Sequence, residues 1–420
     1  MAIKRLKWLY PGMLVKRWIA LLVFGILMIN MGFVVVIFEN NPDNKLIAGL
    51  IIILGIFCVI LAVKRILSSF MSVLMPAPAS VDKDRLVEKV FERRILERGP
   101  KIVVVGGGTG LSTLLKGLKD KTGNITAIVT VADDGGSSGR LREEFGVLPP
   151  GDIRNCLVAL SDSGDLLGDL FQYRFKSGKG LHGHNFGNLF ITALARVTGD
   201  FASAIRESSK VLAIRGNVYP ATLETVKLLV RREDGTETLG ESRMRDLAHS
   251  PIEKLKLIPG DCAATTESVK AIREADAIVL GPGSLYSSVM PNLLISGIQK
   301  EIVRSKAPKI YICNVMTESG ETDNFSVSDH VRAIIKHTDP NIVNYCVANT
   351  ARIPEPMYKR YREDENKLPV KVEERDIKWM EREKITLIEA DIASAKEFVR
   401  HDTYKLSEVI MQILSLHRRR

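Results

Sequence analysis

The sequence predicts an α/β protein with a Rossmann-like, mostly parallel sheet, helices on both faces and a small antiparallel insert, preceded by a two-helix transmembrane hairpin. Three observations carry this. From Lys101 onward, short and nearly uninterrupted apolar runs alternate with helical stretches, as strands covered on both faces by helices require. Glycine-rich or polar segments follow those runs directly, at the strand ends where open α/β sheets bind ligands. Two long apolar segments precede residue 65, each long enough for a bilayer core of about 30 Å.

The hairpin comes first. Ile19 to Phe38 is a 20-residue apolar run interrupted only by Asn30, and Leu46 to Val63 adds 18 residues without a charge. The polar stretch from Glu39 to Lys45, with Pro42 and three asparagines, separates them as a helix break. Lys4, Arg5, Lys7, Lys16 and Arg17 precede the first run, and Lys64 and Arg65 follow the second. The positive-inside rule then sets both termini and the soluble part in the cytoplasm, with the turn outside a cell membrane crossed twice. A cleaved signal peptide fits less well, because the first run is too long for its apolar region and a second span follows at once. Asn30 is a candidate for a hydrogen bond between the two helices. The expected layout is therefore a hairpin over 1–65, a linker and amphipathic helix over 66–100, and one α/β domain over 101–420. In the middle part, Met75-Pro76-Ala77-Pro78 reads as an extended linker, and Leu86, Val87, Val90, Phe91 and Ile95 form the stripe of a helix over 82–98.

Charge excludes one function class. The 420-residue chain has a net charge of +10. Residues 1–100 contain 14 Lys/Arg against 7 Asp/Glu, which leaves 45 against 42 for the remainder. The large domain is nearly neutral, and nowhere do basic residues interleave with stacking aromatics, so a nucleic-acid partner is not expected. Cys58, Cys156, Cys262, Cys313 and Cys346 are scattered without a C-x-x-C pair, which reads as buried thiols rather than a zinc site or a disulfide framework.

Within the domain, Ile102 to Val105 is a strand running into Gly106-Gly107-Gly108-Thr109-Gly110 and a helix from Leu111 to Leu118. Glycines there let backbone N–H groups approach a phosphate at a helix start, although neither the strict dinucleotide fingerprint nor a P-loop is present. Gly107, Gly108, Thr109 and Gly110 are the binding candidates. A second strand, Ile125 to Val131, ends at Asp133-Asp134. These carboxylates could grip a ribose hydroxyl or hold Mg²⁺ for phosphoryl transfer. Ser137, Ser138 and Arg140 follow in a small-residue loop suited to a polyanion, with Arg140 as the phosphate fork. Asp152, Arg154 and Asn155 open another helix, as a cap with its ion pair or as ligand groups. Asn185 and Asn188 sit in Gly183-His184-Asn185-Phe186-Gly187-Asn188, and the spacing of His182 and His184 gives no metal register.

Ala277 to Leu280 leads into Gly281-Pro282-Gly283-Ser284-Leu285-Tyr286. Gly283 and Ser284 suit a second anion cradle, and Tyr286 a stacking surface. Lys309 to Cys313 runs into Asn314, Ile342 to Val347 reads as a further strand, and Asp234-Gly235 marks a hairpin within Thr225 to Glu241. Ile385 to Ile388 reads as a strand and Thr403 to Leu416 as a helix, but residues 360–420 suggest no function. No serine, cysteine or lysine stands out as an activated nucleophile.

Taken in order, residues 104–112, 130–141, 148–157, 183–189, 279–286 and 313–317 closely resemble the gluconeogenesis-factor family (YvcK type), within the CofD-like superfamily of 2-phospho-L-lactate transferases. The resemblance covers about 101–337. It implies a cytosolic Rossmann-like domain that binds UDP-N-acetylglucosamine near the 106–110 loop, Asp133-Asp134 and the 281–286 loop. It also implies a role in steering carbon toward cell-wall precursors and in holding cell shape, with an enzymatic activity left open. A cell-envelope precursor enzyme or another protein is then the expected partner, and a homo-oligomer is possible. The alternative is a metal-dependent 2-phospho-L-lactate transferase with Mg²⁺ as cofactor. The pattern of that branch carries a P-D-x-D element where this chain has Gly151-Asp152-Ile153-Arg154, and the arginine favours phosphate over metal. A dinucleotide oxidoreductase is the weakest reading, since no hydride-transfer residue is visible.

Overall fold

A computed structural model describes residues 15–39, 41–74, 95–246, 250–395 and 398–417. The chain divides into two compact units, Met1–Val90 and Phe91–Arg420.

In the first unit, helix α1 spans Val15–Phe38 and α2 spans Pro42–Leu74. Proline at the start of α2 loses no hydrogen bond there and its fixed φ suits a first turn. The break is therefore shorter than expected, and Asp43, Asn44 and Lys45 already belong to α2. The same helix runs on through Lys64 and Arg65 to Leu74, so the first residues of the expected linker are helical. Its later residues and most of the expected amphipathic helix lie outside the described ones. The apolar stretches Arg17–Phe38 and Pro42–Leu67 have mean hydropathies of 2.8 and 3.3 and are long enough to cross a membrane.

Small side chains line the contact between the helices. Gly25 and Gly32 of α1 face Ala48, Gly55 and Ala62 of α2 along a seam repeating every seven residues, with both alanines fully buried. A β-carbon on Gly25 would lie 2.8 Å from the Gly55 carbonyl oxygen, and one on Gly55 equally close to that of Gly25. Asn30 does not bridge the helices. It is exposed, and its Nδ2 donates to the Ile26 carbonyl 2.9 Å away in its own helix.

The second unit is built on strands β1 (Ile102–Gly106), β2 (Ile125–Val129), β3 (Asn217–Pro220), β4 (Lys227–Arg232), β5 (Glu237–Leu239), β6 (Ile252–Ile258), β7 (Ala277–Leu280), β8 (Lys309–Ile312), β9 (Tyr345–Asn349), β10 (Thr386–Ala390), β11 (Ala393–Ala395) and β12 (Val399–His401). Seven form one sheet in the order β10-β9-β8-β7-β1-β2-β3, and every pairing in it is parallel. All five residues of β1 and all four of β7 and β8 are buried, which accounts for the unbroken apolar sequences of β1 and β7; β8 opens on the buried Lys309. From β1 the chain winds outward to β2 and β3, then crosses back to β7 and winds the other way to β10. The winding reverses between β1 and β7, where the strand ends splay and leave a crevice.

Two boundaries shift for local reasons. The β9 strand starts at Tyr345 because Pro340–Ile342 forms a 3₁₀ turn, capped by the Asp339 carboxylate accepting from Asn341 N–H. The antiparallel insert has three strands rather than two, in the order β5-β4-β6. Residues 252–258 alternate buried and exposed side chains over most of their length, a periodicity legible in the sequence but not used. Four of the five cysteines are buried and all are free.

Candidate functional site

The crevice at the winding reversal opens into a cavity of about 540 Å³. Its floor is the loop after β1. Helix α3 (Gly108–Leu118) starts three residues before the expected Leu111, and its cap residue Gly107 supplies no side-chain hydrogen bond to the first turn. Gly108 has φ +67°, which only glycine adopts without strain. The loop after β7 lies directly against it. A β-carbon on Gly110 would sit 2.8 Å from the Pro282 carbonyl oxygen, and one on Gly283 3.1 Å from that of Gly107. The two glycine loops expected to act together therefore touch.

Beyond Ser284 the chain forms a single π-helical turn, Leu285–Val289. That geometry brings Ser284, Ser287 and Ser288 to the cavity and turns Tyr286 into the core. The ring of Tyr286 is 2% exposed and packs edge-on against His337. Burial raises its phenol pKa. Tyr286 is thus a packing residue and not a stacking surface for a ligand.

Two carboxylates meet at the cavity. Asp133 accepts from Gly135 N–H at 2.9 Å and from the Ser138 hydroxyl. Asp152, near the start of helix α5, accepts the Gly108 N–H, with α4 defined as Gly136–Phe145 and α5 as Gly151–Leu160. Burial, and then the neighbouring Asp133, push the Asp152 carboxyl up to about 6. Burial likewise raises Asp133, against the pull of its hydrogen bonds. Asn314, just beyond β8, lines the cavity and is 8% exposed, and its buried Oδ1 has no hydrogen-bond partner.

Of the expected ligand residues, Gly107, Gly108, Thr109, Gly110, Asp133, Asp152, Gly283, Ser284 and Asn314 line the cavity. The rest support it or face elsewhere. Arg154 donates to Asn188 Oδ1 at 2.9 Å and Asn155 Oδ1 at 2.7 Å, and burial lowers its pKa to about 10. Asn188 Nδ2 in turn donates to Ser137 Oγ, which also lies 3.2 Å from His184 Nδ1. Asn185 caps the helix Phe186–Thr198 by accepting from Asn188 N–H. These groups hydrogen-bond one another, as buried polar residues usually do, while the buried Arg154 Nε has no partner among the described residues. Arg154 accordingly pairs with asparagines rather than with Asp152, and Ser138 braces Asp133. Asp134 is turned away from the cavity, accepting Ser242 N–H at 2.8 Å. The Arg140 guanidinium holds the His182 carbonyl, with both nitrogens at 3.2 Å, and is not a phosphate fork.

The wall opposite the glycine loops comes from the region to which sequence assigned no function. Tyr361, Lys367, Phe398, Arg400 and His401 line it. Phe398 is 43% exposed, with the guanidinium carbons of Arg360 and Arg400 at 5.5 and 4.9 Å from its ring centre, in cation–π range. The ring of His401 bonds the Cys313 carbonyl through Nε2 at 3.1 Å, and burial lowers its pKa to about 4. The signal was a three-residue strand with no glycine or apolar run, too short to stand out. Thr113, Ser287, Ser288, Thr317 and Glu241 also line the cavity and were not anticipated.

The family described as 2-phospho-L-lactate transferase CofD matches residues 102–393. A Clostridium acetobutylicum protein described as "Putative gluconeogenesis factor" is 42% identical across 98% of this chain and 92% of its own length. The "Gluconeogenesis factor" of Bacillus subtilis is 46% identical across 75% of this chain and 98% of its own. The X-ray structure of a Bacillus halodurans protein aligns with a TM-score of 0.72 at 46% identity, covering 75% of this chain and all of that one. The shorter relatives are thus accounted for by three quarters of the present chain.

Proposed function

This chain belongs to the 2-phospho-L-lactate transferase CofD family, and we propose that it acts there as a membrane-tethered regulator that binds UDP-N-acetylglucosamine. Its output is the flow of carbon to cell-wall precursors and the maintenance of cell shape, exerted through an envelope-precursor enzyme or another protein, alone or as a homo-oligomer. The observation that carries this reading is the contact of the two glycine loops at the winding reversal, beside the start of α3. A helix start favours phosphate, and glycine loops allow it a close approach to the backbone. A volume near 540 Å³ is in the range of ligand sites.

A diphosphate beside Asp133 and Asp152 needs a proton or a cation between the charges. Mg²⁺ is bound by one or two carboxylates together with ligand phosphates, and this pair fits that mode. Among the described residues no group of three or more His, Cys, Asp or Glu forms a protein-only cage. Calorimetric titration of the detergent-solubilised full chain with UDP-N-acetylglucosamine, with and without Mg²⁺, tests the proposal. Saturable binding is expected, and no heat at millimolar ligand rejects it.

The Asp133–Asp152 pair also supports a second reading, a metal-dependent 2-phospho-L-lactate transferase-like enzyme. That reading expects Mg²⁺-dependent turnover with a deazaflavin acceptor, abolished in Asp152→Asn, and fails if no donor is consumed. For the tether, the hydropathy of α1 and α2 and the flanking basic residues support two spans with both ends inside. A cysteine at Asp43 should react with an impermeant reagent from outside intact cells, whereas one at Thr109 should not.

A further inference from the structure

The antiparallel insert is fastened to the cavity by two charged side chains that bind no ligand themselves. Arg232 of β4 is 1% exposed, and no carboxylate pairs with it among the described residues. Its Nη2 donates to the Met244 carbonyl at 2.6 Å and the Gly320 carbonyl at 3.1 Å, and its Nη1 to the Ser250 carbonyl. Asp134 accepts Ser242 N–H and packs against Gly240, which has φ +104° and no room for a β-carbon. Burying a guanidinium without an anion is unfavourable unless its hydrogen bonds are fixed in place. Both groups converge on the start of the short helix Glu241–Asp246, whose first residue, Glu241, lines the cavity.

Glu241 joins Asp133, Asp152, Glu318 and Glu365 among the acids that line the cavity, of which Asp133 and Asp152 already accept backbone N–H groups. It is ill suited to the diphosphate itself. An ionised carboxylate only accepts hydrogen bonds, so its complement is a group rich in hydroxyl donors, and bonds from hydroxyls to a carboxylate are charge-assisted. We infer that Glu241, held by Arg232 and Asp134, is the specificity residue that accepts hydroxyls of the sugar portion of a sugar nucleotide, with the insert serving as the arm that positions it. This rests on the nucleotide-sugar reading above and goes beyond it by assigning the sugar to the insert side of the cavity.

The test is titration of the full chain in detergent with two probes, UDP-N-acetylglucosamine and UDP. In wild type the sugar nucleotide should bind more tightly. Glu241→Ala should weaken it by about 10- to 100-fold, as expected for lost hydrogen bonds to a charged group, and leave UDP within about twofold. Glu241→Gln, which keeps one acceptor, should recover part of the loss. Asp134→Ala should act in the same direction more weakly, as a positioning residue would, and so should Arg232→Met where it folds. Equal weakening of both probes by Glu241→Ala, or no effect on either, overturns the inference while leaving the nucleotide-sugar reading intact. Failure of wild type to bind the sugar nucleotide defeats both, and the wild-type titration alone reveals it.

Discussion

At Asp152 a carboxyl raised to about 6 by burial means that the folded chain holds a proton the unfolded chain gives up near pH 4. Ionisation therefore penalises folding progressively as pH rises through the interval between those values, and the whole penalty, about 2–3 kcal/mol, is present at pH 7. Asp152→Asn keeps an acceptor for Gly108 N–H and removes the charge. Urea unfolding should find it more stable than wild type at pH 7.5, with the difference shrinking toward pH 4.5, and its affinity for a Mg²⁺-bound anion reduced. A pH-independent difference would assign the effect to packing. Tyr286 makes the contrasting case. Tyr286→Phe should leave ligand affinity unchanged, whereas Tyr286→Ala should cost about 3–5 kcal/mol of stability through the core cavity it opens. The glycines, Asp133, Asp152 and Asn314 were legible in sequence because their places follow directly from strand ends. The orientation of Tyr286 was not, because a π-helical turn rotates the face on which each residue falls relative to an α-helical count.

Among the elements, the loops after β1 and β7 act as a pair because nothing larger than hydrogen fits between them. Gly110→Ala pushes a methyl group against the Pro282 carbonyl. It should destabilise the fold by about 1–3 kcal/mol and weaken any anionic ligand with little change in the helix signal, measured by circular dichroism alongside titration. Unaltered binding would show that the loop contact is dispensable. The parallel sheet was legible because β1 and β7 are apolar on both faces. The wall containing Phe398 and Arg400 was not, since β11 and β12 have three residues each and their place depends on long-range packing. The small-residue seam of the hairpin is present in the sequence as a seven-residue spacing, masked by the stronger apolar signal around it.

Across the whole molecule, the division at residue 90 predicts that the second unit is self-sufficient. A chain beginning at Phe91 should unfold cooperatively with a melting temperature within a few degrees of the full chain in detergent, and should retain ligand affinity. A loss of cooperative unfolding would contradict the division. The net charge of +10 suggested little about this unit, because most of the excess sits in the first hundred residues. The hairpin, for its part, bears on permeation. Its two helices meet at glycines so closely that a single added carbon would collide with the opposite backbone, its outward face is almost wholly hydrocarbon, and the polar amide at Asn30 is satisfied by its own helix. Among the described residues no polar file runs along the helix pair, and a patch-clamp recording of the reconstituted protein should be silent.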